Sequence, residues 1–159
     1  MTYEETYSFN DDIEYLKTSG GFPTNIVFKP FDVYAQPNFI SPTWVCFLEY
    51  PFSLGLTYPF SDIVSEFFEG PQISYIQTMP ALWKVHFWID RLNQSKGLDM
   101  SFAELAHVYD LQTFGSSYFL FKVKTDKTHL ILKSKQNDGA WKERFFFVKC
   151  ESIPNGDLL

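Results

Sequence analysis

From residue 61 to residue 110 the apolar positions recur at helical spacing, and beyond residue 117 they recur at every second position. Ser61 is placed to cap a helix, Asp62 sits where a helix N-terminus favours an anion, and Gly70-Pro71 stops the run. Between them Ile63, Val64, Phe67 and Phe68 form one apolar stripe. A longer helix is expected from Thr78, as its N-cap, to about Gln94, with Pro80 in the first turn where its missing N–H does no harm. At about 100° per residue, Leu82, Val85, Ile89 and Leu92 make one apolar arc and Trp83 with Phe87 a second. Lys84, Arg91, His86, Asp90 and Asn93 fill the gaps, so this helix is expected to lie centrally, between two layers. A third helix opens on a capping box, Ser101 with Glu104, and buries Phe102, Leu105, Ala106 and Tyr109 before ending near Asp110.

The period then changes. In Tyr118–Lys124, Phe119, Phe121 and Val123 point one way while Tyr118, Leu120, Lys122 and Lys124 point the other. Asp126-Lys127 marks a tight turn, His129–Lys133 reads as a second strand, Asn137-Asp138-Gly139 as another turn, and Lys142–Lys149 as a third strand. Short loops imply antiparallel neighbours. The expected fold is therefore α+β, a helical body packed on a small C-terminal antiparallel sheet of about three strands. Upstream, Asn10 is placed to cap a short helix toward Lys17, ended by Gly20-Gly21. Residues 22–42 carry four prolines and should form an extended, packed connection. Trp44–Leu48 is a short apolar run, and Pro51–Leu54 suits one helical turn closed by Gly55. Residues 1–9 and 151–159 read as tails around one domain at 10–150.

Composition adds a surplus of rings. Aromatic residues make up 19 % of the 159, with 18 Phe alone, against 45 % hydrophobic and 20 % charged residues. That is the balance of a folded domain, long enough to bury about two thirds of its extended surface. The net charge of -6 argues against attraction of the whole molecule to nucleic acid or anionic lipid. The acids gather early, at Glu4, Glu5, Asp11, Asp12 and Glu14, whereas Lys and Arg dominate from Lys122 onward. Cys46 and Cys150 are too few and too far apart for a disulfide framework or a zinc knuckle. An acidic start without a following apolar run, and no stretch long enough to span a bilayer, point to an intracellular protein without membrane attachment.

The stretch Trp141-Lys142-Glu143-Arg144-Phe145-Phe146-Phe147-Val148 is the most distinctive in the chain. With Gly55-Leu56-Thr57-Tyr58-Pro59-Phe60, Pro80-Ala81-Leu82-Trp83 and Phe102 within 101–110, it resembles the plant gypsy-type transposase domain found in gag-like or accessory proteins of LTR retrotransposons. The marks run in the same order over most of residues 10–150. Thr57-Tyr58 stands where that family often has a more basic residue. The resemblance implies descent from a mobile element and brings no catalytic residues with it.

Asp62, Asp90, Glu104 and Asp110 are available carboxylates, but a two-metal strand-transfer site needs such groups to converge, and each here has a capping or surface role. His86 and Asp90 stand at i and i+4 and read as a helix-surface pair. No Gly-x-Ser-x-Gly elbow or phosphate loop is present. No catalytic, metal or cofactor site is expected. Two functions remain: a non-enzymatic structural or self-associating protein-interaction module, or a nucleic-acid-binding module. The second would use Lys122, Lys124, Lys142 and Arg144 on a basic sheet face, with Tyr118 for stacking. Trp141, Phe145, Phe146, Phe147 and Val148 are expected to be structural, and stability to rest on Trp83, Phe87, Trp141, Phe145 and Phe147. Alternation does not decide which side of 145–148 is buried.

Overall fold

A computed structural model describes residues 9–29, 42–70, 73–115, 117–128 and 141–154. The elements are α1 (Phe9–Ser19), β1 (Phe28–Lys29), β2 (Trp44–Leu48), α2 (Tyr50–Ser53), α3 (Asp62–Glu69), α4 (Pro80–Lys96), α5 (Phe102–Val108), β3 (Tyr109–Phe114), β4 (Tyr118–Val123) and β5 (Phe145–Lys149). The class is α+β, as the segregation of helical and alternating segments implied.

Helices α3, α4 and α5 form where apolar spacing placed them. On α3, Ile63, Val64, Phe67 and Phe68 are all buried. Ser61 stands at the N-cap but its hydroxyl accepts nothing, and only its carbonyl takes the first helical bonds, from Val64 and Ser65. On α4 the N-cap is Met79 rather than Thr78, whose hydroxyl instead donates to the Tyr75 carbonyl at 2.6 Å. Gly97, in the left-handed region at φ 62°, ends α4. The capping box of α5 is present: the Ala103 N–H donates to Ser101 Oγ at 3.2 Å, and the Ser101 N–H donates to Glu104 Oε2 at 2.7 Å. The Ser101 hydroxyl, which also donates to Glu104 Oε2, and the Ser101 N–H together hold the Glu104 carboxyl below its ordinary range.

The sheets differ from the expected arrangement. β5 does not join β4; it lies between β1 and β2 in an antiparallel sheet ordered β1-β5-β2, with Phe146 opposite Phe47 and Val148 opposite both Val45 and Phe28. β4 pairs with β3, which begins directly where α5 ends, at Tyr109. The three-stranded sheet is thus built from both ends of the chain. The expected strand at 129–133 and turn at 137–139 lie outside the described residues, whereas the turn at Asp126-Lys127 is present, closed by the Lys127 N–H on the Lys124 carbonyl. Order also continues past residue 150: Cys150–Ser152 form a 3-10 turn, Ile153 is buried, and Ser152 Oγ accepts from the Val27 N–H at 3.1 Å.

Successive strand residues face opposite ways, so three adjacent Phe need two apolar surroundings. Phe146 and Val148 face a large core with Phe22, Phe47, Phe52, Phe60, Trp83 and their neighbours. Phe145 and Phe147 face a second cluster with Cys46, Leu48, Met79 and Trp141, flanked by Tyr118 and Leu120 of β4. All three rings are buried. Phe146 stacks on Phe47 at 5.7 Å, while Phe145 and Phe147 meet edge to face at 5.8 Å. From Phe47 the ring contacts run on through Tyr75 to Phe68 and Trp83. Leu56, Tyr58 and Phe60 of the Gly-Leu-x-x-Pro block are buried in the same core. Gly21, at φ 73°, lets the chain after α1 pass this block, since a Cβ there would stand 2.4 Å from the Tyr58 carbonyl oxygen.

Candidate interaction surfaces

The four cations proposed for a basic sheet face are divided between the two sheets. Lys122 and Lys124 lie on or just beyond β4, and Lys142 and Arg144 lead into β5. Lys122 is exposed and stands opposite Asp110 in the β3–β4 register, a cross-strand pair of opposite charge. Lys124 is turned back on the fold: its Nζ donates to the Ala106 carbonyl at 2.7 Å and lies 3.8 Å from the Asp110 carboxylate. It thereby satisfies a carbonyl in the last turn of α5, where a cation is favoured. Arg144 grips Glu49 with two donors, Nε to Oε2 at 3.0 Å and Nη2 to Oε1, and the Glu49 N–H donates to the Arg144 carbonyl at 3.0 Å. This two-donor pairing ties the start of β5 to the start of α2.

Lys142 lies over aromatic faces. Its Nζ stands 4.0 Å from the Tyr118 ring centroid and 5.5 Å from that of Trp141, and the two rings meet edge to face at 5.5 Å. Tyr118, the expected stacking surface for a base, is therefore occupied from within by Trp141 and Lys142. These contacts make a local clasp between β4 and β5 and stabilise it by about 0.5–1 kcal/mol as cation–π energy. Of the four cations, Lys124 and Arg144 are thus engaged within the fold, while Lys142 sits against Tyr118 of β4, the strand that carries Lys122.

The candidate carboxylates are likewise dispersed. Asp90 accepts from Gln94 Nε2 at 2.8 Å, Glu104 caps α5, and Asp110 faces Lys122 and Lys124. Among the described residues no group of three or more His, Cys, Asp or Glu is placed to hold a metal ion. Both cysteines are free, and burial pushes the Cys46 thiol up to about 12, which leaves it unreactive. Among the described residues no helix is long and apolar enough to cross a membrane.

His86 overturns the surface-pair expectation. It is fully buried, its ring 4.8 Å from Phe67 and 5.5 Å from Phe121, and neither nitrogen has a hydrogen-bond partner. Burial lowers its pKa to about 3, so the ring is neutral in the folded protein. At helical spacing His86 falls between the arc of Leu82 and Ile89 and the second arc of Trp83. The two arcs close into one buried side around it.

The other side of α4 is open, contrary to the expectation of a helix held between two layers. Trp88 is 51 % exposed and Leu92 37 %, one turn apart on the helix. Lys84 and Arg91 share this outward side at helical spacing. Phe87, expected in the core, is half-buried and acts as a support: Trp88 meets it edge to face at 5.5 Å, and the Arg91 guanidinium lies 5.3 Å from its centroid. Gly55, at φ 100°, backs this arrangement, since a Cβ there would stand 3.6 Å from both Arg91 Nη2 and Phe87 Cε2. Trp88 escaped the sequence reading because it belongs to neither apolar arc; its position outside both was the available signal. No family model, curated protein or solved structure matches this chain.

Proposed function

We propose that this protein is a non-enzymatic structural and protein-interaction module, of the gag-like kind that its resemblance to the gypsy-type domain implies. The observation that carries the reading is the outward face of α4. A Trp half in water, supported by Phe87 and flanked by Arg91 and Leu92, has the composition of an interface centre rather than of an ordinary surface. The burial of Phe145, Phe146 and Phe147 supports the same reading, because it gives the distinctive motif a scaffolding role. The two unbridged cysteines fit an intracellular setting. Nucleic-acid binding is less well supported, since Lys124 and Arg144 are engaged within the fold.

Sedimentation velocity over a wide concentration range, without nucleic acid, tests the reading. Concentration-dependent association is the expected result. A protein that stays monomeric, yet binds single-stranded RNA in a steeply salt-dependent way that is lost on reversing Lys122 and Lys142, would replace it with the nucleic-acid function.

A further inference from the structure

We infer that two copies of this chain pair edge to edge through β3, in an antiparallel two-fold contact that joins their β3–β4 hairpins into one four-stranded sheet. The inference goes beyond the reading above, because it uses a different surface: Trp88 and the rest of α4 take no part in it. β3 and β4 pair without a bulge from Tyr109 opposite Val123 to Phe114 opposite Tyr118. The Lys124 N–H donates to the Val108 carbonyl at 3.0 Å, one step beyond that register. Hydrogen-bonded pairs alternate along an antiparallel ladder, so Asp110, Gln112 and Phe114 turn their backbone groups toward β4, and Leu111 and Thr113 turn theirs away. Two other bonds agree with this phase. The Tyr109 N–H, pointing away from β4, donates to the Leu105 carbonyl, and the Phe119 carbonyl, pointing away from β3, accepts from the Met79 N–H at 3.0 Å.

The outer edge of β3 therefore offers two N–H and two C=O groups, at Leu111 and Thr113, with no bond from another strand among the described residues. Gln112, Thr113 and Phe114 are exposed, so the distal half of this edge is open to solvent. Strand edges are commonly guarded by Lys, Pro, a bulge or shortness. β1, an edge of the other sheet, is two residues long and carries Lys29, and β4 carries Lys122. β3 has six residues and none of those guards. Its one charge, Asp110, stands opposite Lys122 and lies 3.8 Å from Lys124 Nζ. A second β3 suits this edge because the pattern is self-complementary. With Gln112 on the two-fold axis, Leu111 of each copy stands opposite Thr113 of the other, and all four outward groups of both strands are bonded. Centring on Leu111 instead would call on the Tyr109 N–H, which is already engaged. The Gln112 register also sets two carboxamides, each a donor and an acceptor, against one another, and it puts Asp110 opposite Phe114 rather than a second carboxylate.

The test uses the full chain in sedimentation velocity, with circular dichroism to check folding. Thr113→Pro removes only an outward N–H, which an edge strand tolerates, and should weaken self-association about tenfold or more by deleting two bonds across the axis. Gln112→Lys and Gln112→Glu each set like charges against themselves and should each weaken association. An equimolar mixture of those two should restore it, because opposite charges then face each other. Hydrogen exchange followed by NMR gives a second readout: the Leu111 and Thr113 amides should be protected where the chain is paired and exchange freely on dilution. Self-association that all three β3 variants leave unchanged would overturn the inference, and its loss in Trp88→Ala would then move the contact to α4. Protection of both amides in a dilute, monomeric sample would overturn it too, by showing the edge covered from within the chain. A wild type that is monomeric at every concentration would overturn both this pairing and the self-association expected above.

Discussion

His86 lies in a nest of Phe67, Trp83 and Phe121 with no charged group among its ring contacts, and this sets a pH dependence for the whole fold. Its pKa is about 3 in the folded protein, whereas an unfolded chain protonates histidine near pH ~6.5. Between those values the unfolded state binds the extra proton, so stability is complete above pH ~6.5 and falls as the pH drops toward 3. The loss at pH 5 amounts to about 2 kcal/mol. His86→Leu removes it. Urea denaturation of both proteins at pH 7 and pH 5 should show the wild type losing about 2 kcal/mol more than the variant over that interval. A difference between them that does not change with pH would contradict neutral burial. At pH 7 the variant should hold or gain stability, because an apolar group of similar size leaves no unpaired nitrogen behind.

Among the elements, the sequence was informative where the pattern was local. The stripe at 63–68, the Ser101–Glu104 box and the alternation at 118–123 each name their own element, because neighbours along the chain settle the matter. The strand at 109–114 was hidden behind the helix before it: Tyr109 fits the apolar spacing of α5 equally well, and its pairing with Val123 decides the issue. The partners of β5 were not legible at all. Nearness in sequence favoured β4, yet the ladder comes from Trp44–Leu48 and Phe28–Lys29. A strand apolar on both faces also gives no alternation from which to read its burial. Asn93, read as gap filling, instead closes the α4–α5 turn: its Nδ2 donates to the Met100 carbonyl at 2.9 Å and its Oδ1 accepts from the Met100 N–H at 3.1 Å. Asn93→Ala leaves both backbone groups without that partner and should cost about 1–3 kcal/mol in urea denaturation. A cost below about 0.5 kcal/mol, the range of an ordinary surface change, would show the turn to be held by other means.

At the scale of the whole molecule, β5 is a partition. The large core lies on one side, reached through Phe146 and Val148, and the smaller cluster with Trp141 lies on the other, reached through Phe145 and Phe147. This accounts for a run of three Phe that a sheet with one wet face would not tolerate, and it leaves Trp88, on the outward side of α4, among the aromatic residues exposed to solvent. The most direct test is the stability of Phe145→Ala, Phe146→Ala and Phe147→Ala by urea denaturation. Burial on both faces predicts a loss of about 3–5 kcal/mol for every one of the three. A loss confined to Phe146→Ala, with the other two within about 0.5 kcal/mol of wild type, would contradict it by making β5 an ordinary strand with one face in water.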